Sequence, residues 1–431
     1  MSAHSHHNIT ILVSILFFFI ISNLACQKDE RTITKISFWA MGIEGESIEK
    51  LLPIFHEKYP HIRVKVQMFP WTAAQEKLIT AYASDNLPDA FQLGNTWIPQ
   101  FVSLDAVEKL DTWLETSHII KKENYFTGIW DTNLLNDYLY GIPWYIDTRV
   151  LFYRTDILSK AGYRSPPKSW DELYKTCQQV KHLLNDPNKY AIYLPTNEWA
   201  TFIIFGLQAG ANLLKDNNTY GNFSSEEFKR AFDFLIKFHK EDLAPTGITE
   251  VTNVYQAFAN EYFSMYISGP WNIPDFKKWM TGELADKWTS VPLPGPGDNY
   301  PGISLAGGSS LVMNKNSGKK EAVWQFFEYL SLPQTQIKFY HLVSDLPAVK
   351  NAWEDSTFRN DPYMAAFYKQ FHHVVPTPKI PEWEQIAFSK VQQYAEYAAR
   401  NVMSTQEALN SLDQDVNRIL EKRRWLLGKK D

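Results

Sequence analysis

Cysteine is scarce in this chain, which has only two such residues, Cys26 and Cys177, among 431. Two cysteines do not provide the set of bridges that holds small secreted proteins together. In "SWDELYKTCQQVKHLL" one face of a predicted helix carries the apolar residues Leu173, Cys177, Val180 and Leu184. We therefore expect the Cys177 thiol to be buried and unreactive.

A surplus of basic residues is also lacking, since 43 Lys and Arg face 48 Asp and Glu and the formal net charge is -5. This balance excludes the broad basic face that nucleic-acid binding requires. The chain contains no glycine-rich phosphate loop, no His and Cys set with metal-ligand spacing and no nucleophile elbow. We predict no cofactor, no metal and no nucleic-acid partner.

An apolar run from Ile9 to Ile21 has the length of a signal-peptide core and is short for a bilayer span. It leads to "SNLAC", in which Ala25 and Cys26 resemble the lipobox of bacterial lipoproteins. The resemblance implies a lipoprotein signal peptide at residues 1–25 and lipidation of Cys26. It also implies an extracytoplasmic location, anchored to the cell membrane on its periplasmic or cell-surface side. An uncleaved anchor and an ordinary signal peptide are the alternatives.

Aromatic residues are abundant, by contrast, at 15% of the chain with 15 Trp. This content is high enough to line a surface with rings as well as to fill a core. A chain of 431 residues also exceeds the size at which one hydrophobic core keeps growing, so we expect two domains.

Strand and helix patterns alternate along the chain. "KISFWAMG", "HIRVKVQMF" and "PDAFQLG" read as strands separated by helical segments, which favours parallel pairing in βαβ units. In the second half, Ser169 with Glu172 and Ser224 with Glu227 have the spacing of capping boxes that begin long helices. The pattern predicts an α/β fold with two lobes.

The stretch "YGIPWYIDTRVLFYR", residues 140 to 154, carries an acid and two arginines within an apolar strand pattern. Burying Asp147 and Arg149 in a core costs several kcal/mol unless they are paired or hydrogen-bonded. They either pair with each other or face a polar ligand, and the stretch alone leaves both readings open.

Several segments together resemble the bacterial extracellular solute-binding proteins of the carbohydrate-uptake type, which include the maltodextrin-binding proteins. The matching stretches, which follow the family's order over about residues 33 to 425, are "FWAMGIEG", "LPDAFQLGNTWIPQFVSLDAVEKLD", "YGIPWYIDTRVLFYRTDIL", "PPKSWDEL", "FSMYISGPWNI", "GGSSLVMNKNSGKKEAVWQFFEYL" and "LPAVKNAWED".

The resemblance implies a periplasmic-binding-protein fold of two lobes, each a mainly parallel sheet flanked by helices, joined by a hinge that the chain crosses three times. The crossings are expected near Pro143 to Thr148, Gly302 to Ala306 and Val349 to Glu354. The N-terminal lobe then comprises residues 31–144 plus 305–350, and the C-terminal lobe comprises 145–304 plus 351–431. Asp147 and Arg149 would lie at the floor of the cleft between the lobes.

Sugar binding requires aromatic platforms for the apolar ring faces, together with carboxylate, amide or guanidinium groups for the hydroxyls. Such residues belong in loops beyond the carboxyl ends of strands. The resemblance assigns Asp147 as the acid at the hinge floor, Glu198 as the acid of the second lobe, Trp199 as its aromatic neighbour and Trp271 as a stacking ring. The further expected ligand-binding residues are Trp39, Glu44, Asn95, Trp97, Trp144, Arg149, Gly308, Ser309 and Trp383.

The resemblance further implies a monomer that binds a sugar, most simply a neutral oligosaccharide, and delivers it to the membrane subunits of an ABC permease. A surface lipoprotein that senses or captures glycans without transport is an alternative. A glycosidase that uses Asp147 and Glu198 as its two carboxylates is the other, although the family is nonhydrolytic.

Overall fold

The structure is a computed structural model that describes residues 33–246 and 251–428. Its strands are β1 (Thr34–Met41), β2 (Ile62–Phe69), β3 (Ala90–Gly94), β4 (Leu134–Leu135), β5 (Tyr138–Leu139), β6 (Ile142–Asp147), β7 (Val150–Arg154), β8 (Tyr190–Tyr193), β9 (Leu214–Lys215), β10 (Tyr220–Gly221), β11 (Phe263–Ser268), β12 (Trp288–Val291), β13 (Ser304–Leu305), β14 (Gly307–Met313), β15 (Leu346–Pro347) and β16 (Val374–Val375).

The α-helices are α1 (Gly42–Ile48), α2 (Leu52–Lys58), α3 (Trp71–Ala83), α4 (Ile98–Ser103), α5 (Asp111–Thr116), α6 (Thr127–Asp131), α7 (Thr155–Lys160), α8 (Trp170–Leu184), α9 (Trp199–Gln208), α10 (Glu226–Lys240), α11 (Val254–Ala259), α12 (Asn272–Trp279), α13 (Lys320–Leu330), α14 (Pro333–Val343), α15 (Ser356–Arg359), α16 (Met364–Phe371), α17 (Gln392–Ala399), α18 (Thr405–Ile419) and α19 (Glu421–Leu427). Short 3-10 helices occupy Asn95–Trp97, Lys122–Asn124, Gly282–Leu284 and Lys350–Glu354, and a π-helix occupies Gln385–Val391.

Two sheets organise the molecule. The first has six strands in the order β15-β6-β14-β3-β1-β2, and the second has four in the order β12-β7-β11-β8. Most strands of each sheet run in one direction, while β14, β15 and β7 run opposite to their neighbours. The expected α/β fold with two lobes is confirmed. We call the part built on the six-stranded sheet the first lobe and the part built on the four-stranded sheet the second lobe.

The chain passes between the two sheets with almost no connecting loop. β6 ends at Asp147 in the first sheet and β7 begins at Val150 in the second, so only Thr148 and Arg149 lie between them. Thr148 Oγ1 donates to the carbonyl of Leu305 at 2.8 Å and contacts Ser304 Oγ at 2.9 Å. The adjoining strand β13 pairs in parallel with β16. These contacts join three separate chain segments beside the crossing.

Local sequence signals explain several element boundaries. Ser169 caps α8 by accepting a hydrogen bond from the Glu172 amide at 3.2 Å. The capping box predicted at Ser224 and Glu227 is wrong, because Ser225 is the residue that precedes α10 and its side chain makes no capping hydrogen bond. Pro53 does not bend a long helix but lies in the first turn of α2, where its missing amide hydrogen costs nothing.

One buried cluster in the second lobe is formed by the aromatic and aliphatic faces of α8, α9, α10, α17 and α18. It includes the buried apolar residues between positions 380 and 420. The C-terminal helices therefore pack on the four-stranded side of the molecule. Cys177 lies in this cluster, where it is fully buried, and burial raises the pKa of its thiol well above the ordinary range. The expectation of a buried thiol is confirmed.

Candidate functional site

A cavity of about 390 Å³ lies between the two lobes beside the crossing at Asp147 and Arg149. Residues of both lobes and of the crossing segments line it: Glu44, Trp71, Gly94, Asn95, Thr96, Trp97, Tyr145, Ile146, Asp147, Arg149, Trp199, Ala200, Pro270, Trp271, Leu305, Ala306, Gly307, Gly308, Ser309, Asp345, Thr377, Glu384 and Phe388. The size falls within the range of small-molecule pockets.

An ion cluster forms the floor of the cavity. Arg149 donates to Asp147 Oδ1 at 3.0 Å and to Glu198 Oε1 at 3.2 Å, and these three side chains keep only 15–23% of their surface exposed. The guanidinium also lies over the Trp271 ring, 4.7 Å from its centre. Burial raises the pKa of Asp147, against the opposing effect of Arg149. Asp147 and Arg149 therefore pair with each other, as the first reading expects, and both also line the cavity.

Glu198 contributes indirectly, since it is absent from the cavity wall and reaches it through Arg149. It occupies the N-cap position of α9 but makes no capping hydrogen bond with its side chain. Its carboxylate instead holds the guanidinium, which fixes Arg149 between the two lobes.

The first-lobe wall is held by a chain of buried hydrogen bonds. Tyr145 Oη donates to Glu44 Oε1 at 2.7 Å, and Gln92 Nε2 donates to Tyr145 Oη at 3.0 Å and to Ser309 Oγ at 3.1 Å. Burial raises the pKa of Glu44, although the hydrogen bond from Tyr145 acts in the opposite direction. The network orients Glu44 and Ser309 at the cavity before any ligand arrives.

Glycine is required where β14 meets β6. Gly308 has φ +115°, and a Cβ there would lie 2.2 Å from the Tyr145 carbonyl oxygen. At Gly307 a Cβ would lie 2.1 Å from Asp147 Oδ1. Gly307 therefore lets β14 approach the floor carboxylate closely, and Gly308 lets it approach the backbone of β6.

Trp271 stands on a turn that its own sequence shapes. Its indole folds over Gly269, where a Cβ would meet the ring at 2.0 Å. Asn272 secures the turn by donating to Ser268 Oγ at 2.8 Å and to the Gly269 carbonyl at 3.0 Å. The ring remains 43% exposed, so it keeps a free surface at the cavity.

Other rings line both walls. In the first lobe, Trp71 and Trp97 meet edge to face with centres 5.6 Å apart. In the second lobe, Phe388 packs on Trp199 at 5.5 Å and stays 54% exposed. Phe388 belongs to the π-helix Gln385–Val391, a form that is rare and frequent at functional sites.

Four cavity residues carry a buried polar atom that has no hydrogen-bond partner in the protein: Asn95 Nδ2, Arg149 Nε, Asp345 Oδ2 and Glu384 Oε1. Two of these atoms are donors and two are carboxylate oxygens. Native proteins satisfy nearly all such groups. Asn95 is held in place because its Oδ1 accepts from Ser310 Oγ at 3.0 Å, which leaves its amide nitrogen directed elsewhere. These atoms indicate where a polar ligand is expected to bind.

The structure brings most of the expected ligand-binding residues together on the cavity wall. These are Glu44, Asn95, Trp97, Asp147, Arg149, Trp199, Trp271, Gly308 and Ser309.

Three expected tryptophans do not line it, which corrects the sequence interpretation. Trp39 lies inside β1 and packs on Phe69 at 4.9 Å. Trp144 lies inside β6 and stacks on Phe339 at 4.7 Å. Both indoles thus pack inside the first lobe, and in β6 the neighbouring Tyr145, on the opposite face of the strand, lines the cavity instead. Trp383 is fully buried and supports Trp199 from behind, with ring centres 6.1 Å apart.

Sequence reasoning missed five cavity residues with rings or carboxylates: Trp71, Tyr145, Asp345, Glu384 and Phe388. Trp71 follows β2 after one residue, so the rule used for the other strand ends would have found it. Tyr145 lies in the crossing segment next to Asp147, and this position is the signal that could have identified it. Glu384 and Phe388 had no local signal, because their helix reaches the cavity only through the packing of the second lobe.

The expectations about the N-terminus are not tested by the structure. The proposed signal peptide at residues 1–25 and the lipidation site Cys26 lie outside the described residues. Within residues 33–246 and 251–428, no helix is long and apolar enough to cross a membrane. No group of three or more His, Cys, Asp or Glu in that part of the chain is arranged to hold a metal ion.

A family model described as "Bacterial extracellular solute-binding protein" matches residues 50–366. This chain belongs to that family. Among solved structures, the solute-binding protein resembles the sugar-binding protein MalE from Xanthomonas citri, with 42% identity, a TM-score of 0.88, and coverage of 92% of this chain and 99% of that one.

Two curated relatives are similar to this solute-binding protein at lower identity. The diacetylchitobiose binding protein DasA of Streptomyces coelicolor is 26% identical over 68% of each chain. The galactooligosaccharide-binding protein of Bacillus subtilis is 23% identical over 85% of this chain and 86% of its own. The names of these relatives cover different saccharides.

Proposed function

We propose that this solute-binding protein holds a neutral sugar, most simply an oligosaccharide, in the cavity between its lobes and delivers it to the membrane subunits of an ABC permease. The observation that carries the proposal is the set of four unpartnered polar atoms on the wall of an aromatic-lined cavity. A sugar hydroxyl both donates and accepts, so one ligand class satisfies Asn95 and Arg149 as well as Asp345 and Glu384.

The charges of the wall favour a neutral ligand over an anionic one. Four carboxyl groups line the cavity, those of Glu44, Asp147, Asp345 and Glu384, against the single guanidinium of Arg149. That guanidinium already bonds Asp147 and, behind the wall, Glu198. A sugar acid or phosphate would add negative charge to this surface without a free cation to balance it.

Binding between lobes also supports a role in delivery. A ligand that contacts both walls stabilises the closed arrangement by its difference in affinity for the two states, and a shift from 1:99 to 99:1 requires about 5.5 kcal/mol. Ring stacking contributes about 0.5–1.5 kcal/mol per platform by analogy with aromatic pairs, and charge-assisted hydrogen bonds to the carboxylates supply the remainder.

The protein is proposed to release its sugar unchanged. Asp147 and Glu198, the two carboxylates of the glycosidase alternative, both bond Arg149. A glycosidase needs its carboxyl groups on either side of the scissile bond, whereas these two share one guanidinium. Reducing-sugar release from bound oligosaccharides, lost on Asp147→Ala, would support catalysis instead.

Three further expectations belong to this proposal: a monomer, lipid attachment at Cys26, and lobes divided as residues 31–144 plus 305–350 and 145–304 plus 351–431. The sheets support the division apart from its first boundary, since the strands of the first sheet fall at residues 34–147, 307–313 and 346–347, so residues 145–147 stay with the N-terminal lobe. Labelling with a fatty acid in cells, compared between the wild type and Cys26→Ala, tests the anchor.

A thermal-shift screen tests the proposed function. The panel contains maltose, trehalose, cellobiose, galactobiose and N,N′-diacetylchitobiose, with glucuronate and amino acids for comparison. A sugar that binds only the folded protein stabilises it by about 2.7 kcal/mol at one hundred times its Kd. We expect at least one neutral saccharide to raise the Tm. Stabilisation by amino acids alone, with none from any saccharide, would refute the proposal.

A further inference from the structure

Asp345 is a cavity carboxyl group that nothing in the protein satisfies. It follows α14 and precedes β15, and it lines the cavity together with Glu44 and Asp147. Its Oδ2 is buried and has no hydrogen-bond partner. Asp345 as a whole is only half-buried, but an ionised carboxylate would lose the hydration of this oxygen without receiving a donor in return.

The nearby donors are already committed to other acceptors. The Tyr145 hydroxyl donates to Glu44, and the amide of Gln92 donates to Tyr145 and Ser309. The terminal nitrogens of Arg149 go to Asp147 and Glu198. The two donor atoms of the wall that remain unpartnered, Asn95 Nδ2 and Arg149 Nε, make no hydrogen bond to Asp345 either.

The groups that face Asp345 electrostatically are themselves acidic. Glu44 comes from α1, and Tyr145 and Asp147 come from β6. On the preceding helix, α14, Lys338 is exposed, while Tyr340 packs on Phe358 and His341 contacts Thr357.

Burial is the largest cause that raises the pKa of Asp345 well above its usual range, and Glu44 and Asp147 add to it. The geometry and the charges therefore favour the same protonation state. In that state the carboxyl group has an O–H donor as well as acceptor oxygens.

We propose that Asp345 is a specificity-determining residue that remains protonated in the folded protein and donates a hydrogen bond from its carboxyl O–H to a hydroxyl oxygen of the ligand. The inference rests on the proposed function. It gives the first-lobe wall, which is otherwise rich in acceptors, a donor that complements the Asn95 amide. It also excludes ligands that carry an anionic group at this point, because they would have to share the site with Glu44 and Asp147.

The test compares Asp345→Asn, which keeps a donor without an ionisable proton, with Asp345→Ala, which removes it. Asp298→Asn is the matched control, since Asp298 is exposed and lies outside the cavity. The probes are maltose, trehalose and N,N′-diacetylchitobiose, titrated by calorimetry from mildly acidic to mildly alkaline pH.

For whichever probe binds the wild type, we expect Asp345→Asn to retain the affinity within a few-fold and Asp345→Ala to lose about tenfold, as for one neutral hydrogen bond. The affinity of the wild type should fall toward alkaline pH as the carboxyl ionises, by about the same tenfold in total, because the O–H donor is then lost. The affinity of Asp345→Asn should not change with pH. An equal loss in the two variants, or an affinity of the wild type that does not change with pH, would overturn the proposal, because the amide donor of Asn would then not replace a carboxyl O–H.

Unfolding of the ligand-free proteins separates this inference from the proposed function. A carboxyl whose folded pKa is raised stabilises the fold at low pH and loses that contribution as the pH rises toward the folded value. Asp345→Asn should therefore equal or exceed the wild type in Tm at alkaline pH. A lower Tm for Asp345→Asn at every pH would contradict a neutral Asp345, whether or not any sugar binds.

Discussion

Removing the guanidinium of Arg149 is expected to destabilise the protein strongly, because two carboxylates depend on it. At about 3 Å and an effective dielectric constant of about 20, each ion pair attracts by about 5 kcal/mol before desolvation is subtracted. Breaking a buried pair by removing one partner costs about 3–5 kcal/mol. The three side chains here remain 15–23% exposed, so we expect Arg149→Met to lose about 3 kcal/mol, the lower end of that range.

The loss should depend on pH in a defined direction. Without Arg149, the repulsion of Asp147 by Glu198 is no longer opposed, which raises the folded pKa of Asp147 further. The penalty is then fully present at neutral pH and disappears as the pH falls and the carboxyl groups take up protons. The triple variant Asp147→Asn, Arg149→Met, Glu198→Gln also neutralises the two carboxylates. It should recover most of the lost stability at neutral pH.

These losses of stability are measured by urea unfolding at neutral and acidic pH. The wild type, the single variant and the triple variant are compared. Arg164→Met is the control, since Arg164 is exposed and lies away from the cavity. A loss below 1 kcal/mol for Arg149→Met, or no recovery in the triple variant, would show that the ion cluster does not stabilise the floor of the cleft.

Three further predictions concern single positions. Trp271→Ala should weaken the binding of a stabilising saccharide by several-fold in calorimetry, because one ring platform is lost. The control is Trp279→Ala, which should not weaken binding, since Trp279 is exposed and lies outside the cavity. Equal effects of the two substitutions would contradict the assignment of Trp271. Gly308→Ala should lower the Tm by many degrees, since the new Cβ meets the Tyr145 carbonyl at 2.2 Å and φ is +115°; an unchanged Tm would refute the packing. Cys177 is fully buried, so it should react with a thiol reagent only after denaturant is added. Rapid labelling of the native protein would contradict the burial of this thiol in α8.

Much of the architecture could be predicted from local pattern. The alternating residues of β1 and β2, the short apolar run of β3 and the cap at Ser169 are all local features of the sequence. The length of a strand beyond its alternating core is not, because pairing with a neighbour decides where it stops. Trp39 and Trp144 were assigned to the binding site although both lie within strand patterns, and pairing of β1 with β2 and of β6 with β14 extends past both residues.

The candidate site could be predicted only in part for a related reason. Residues at strand ends, such as Asn95 and Trp97, follow a rule that sequence position reveals. Asp345 and Glu384 reach the same cavity from segments that no such rule connects, and their roles depend on the absence of protein partners for buried oxygens. That property belongs to the packed molecule and has no counterpart in the sequence.

The central claim is that a sugar is held between the two lobes. A crystal structure with the saccharide that stabilises the protein most tests this claim directly. We expect the sugar in the cavity, with one ring face on Trp271 and hydroxyls within hydrogen-bond distance of Asn95 in the first lobe and Glu384 in the second. A saccharide bound to one lobe only, or outside the cavity while these groups stay unpartnered, would contradict the account.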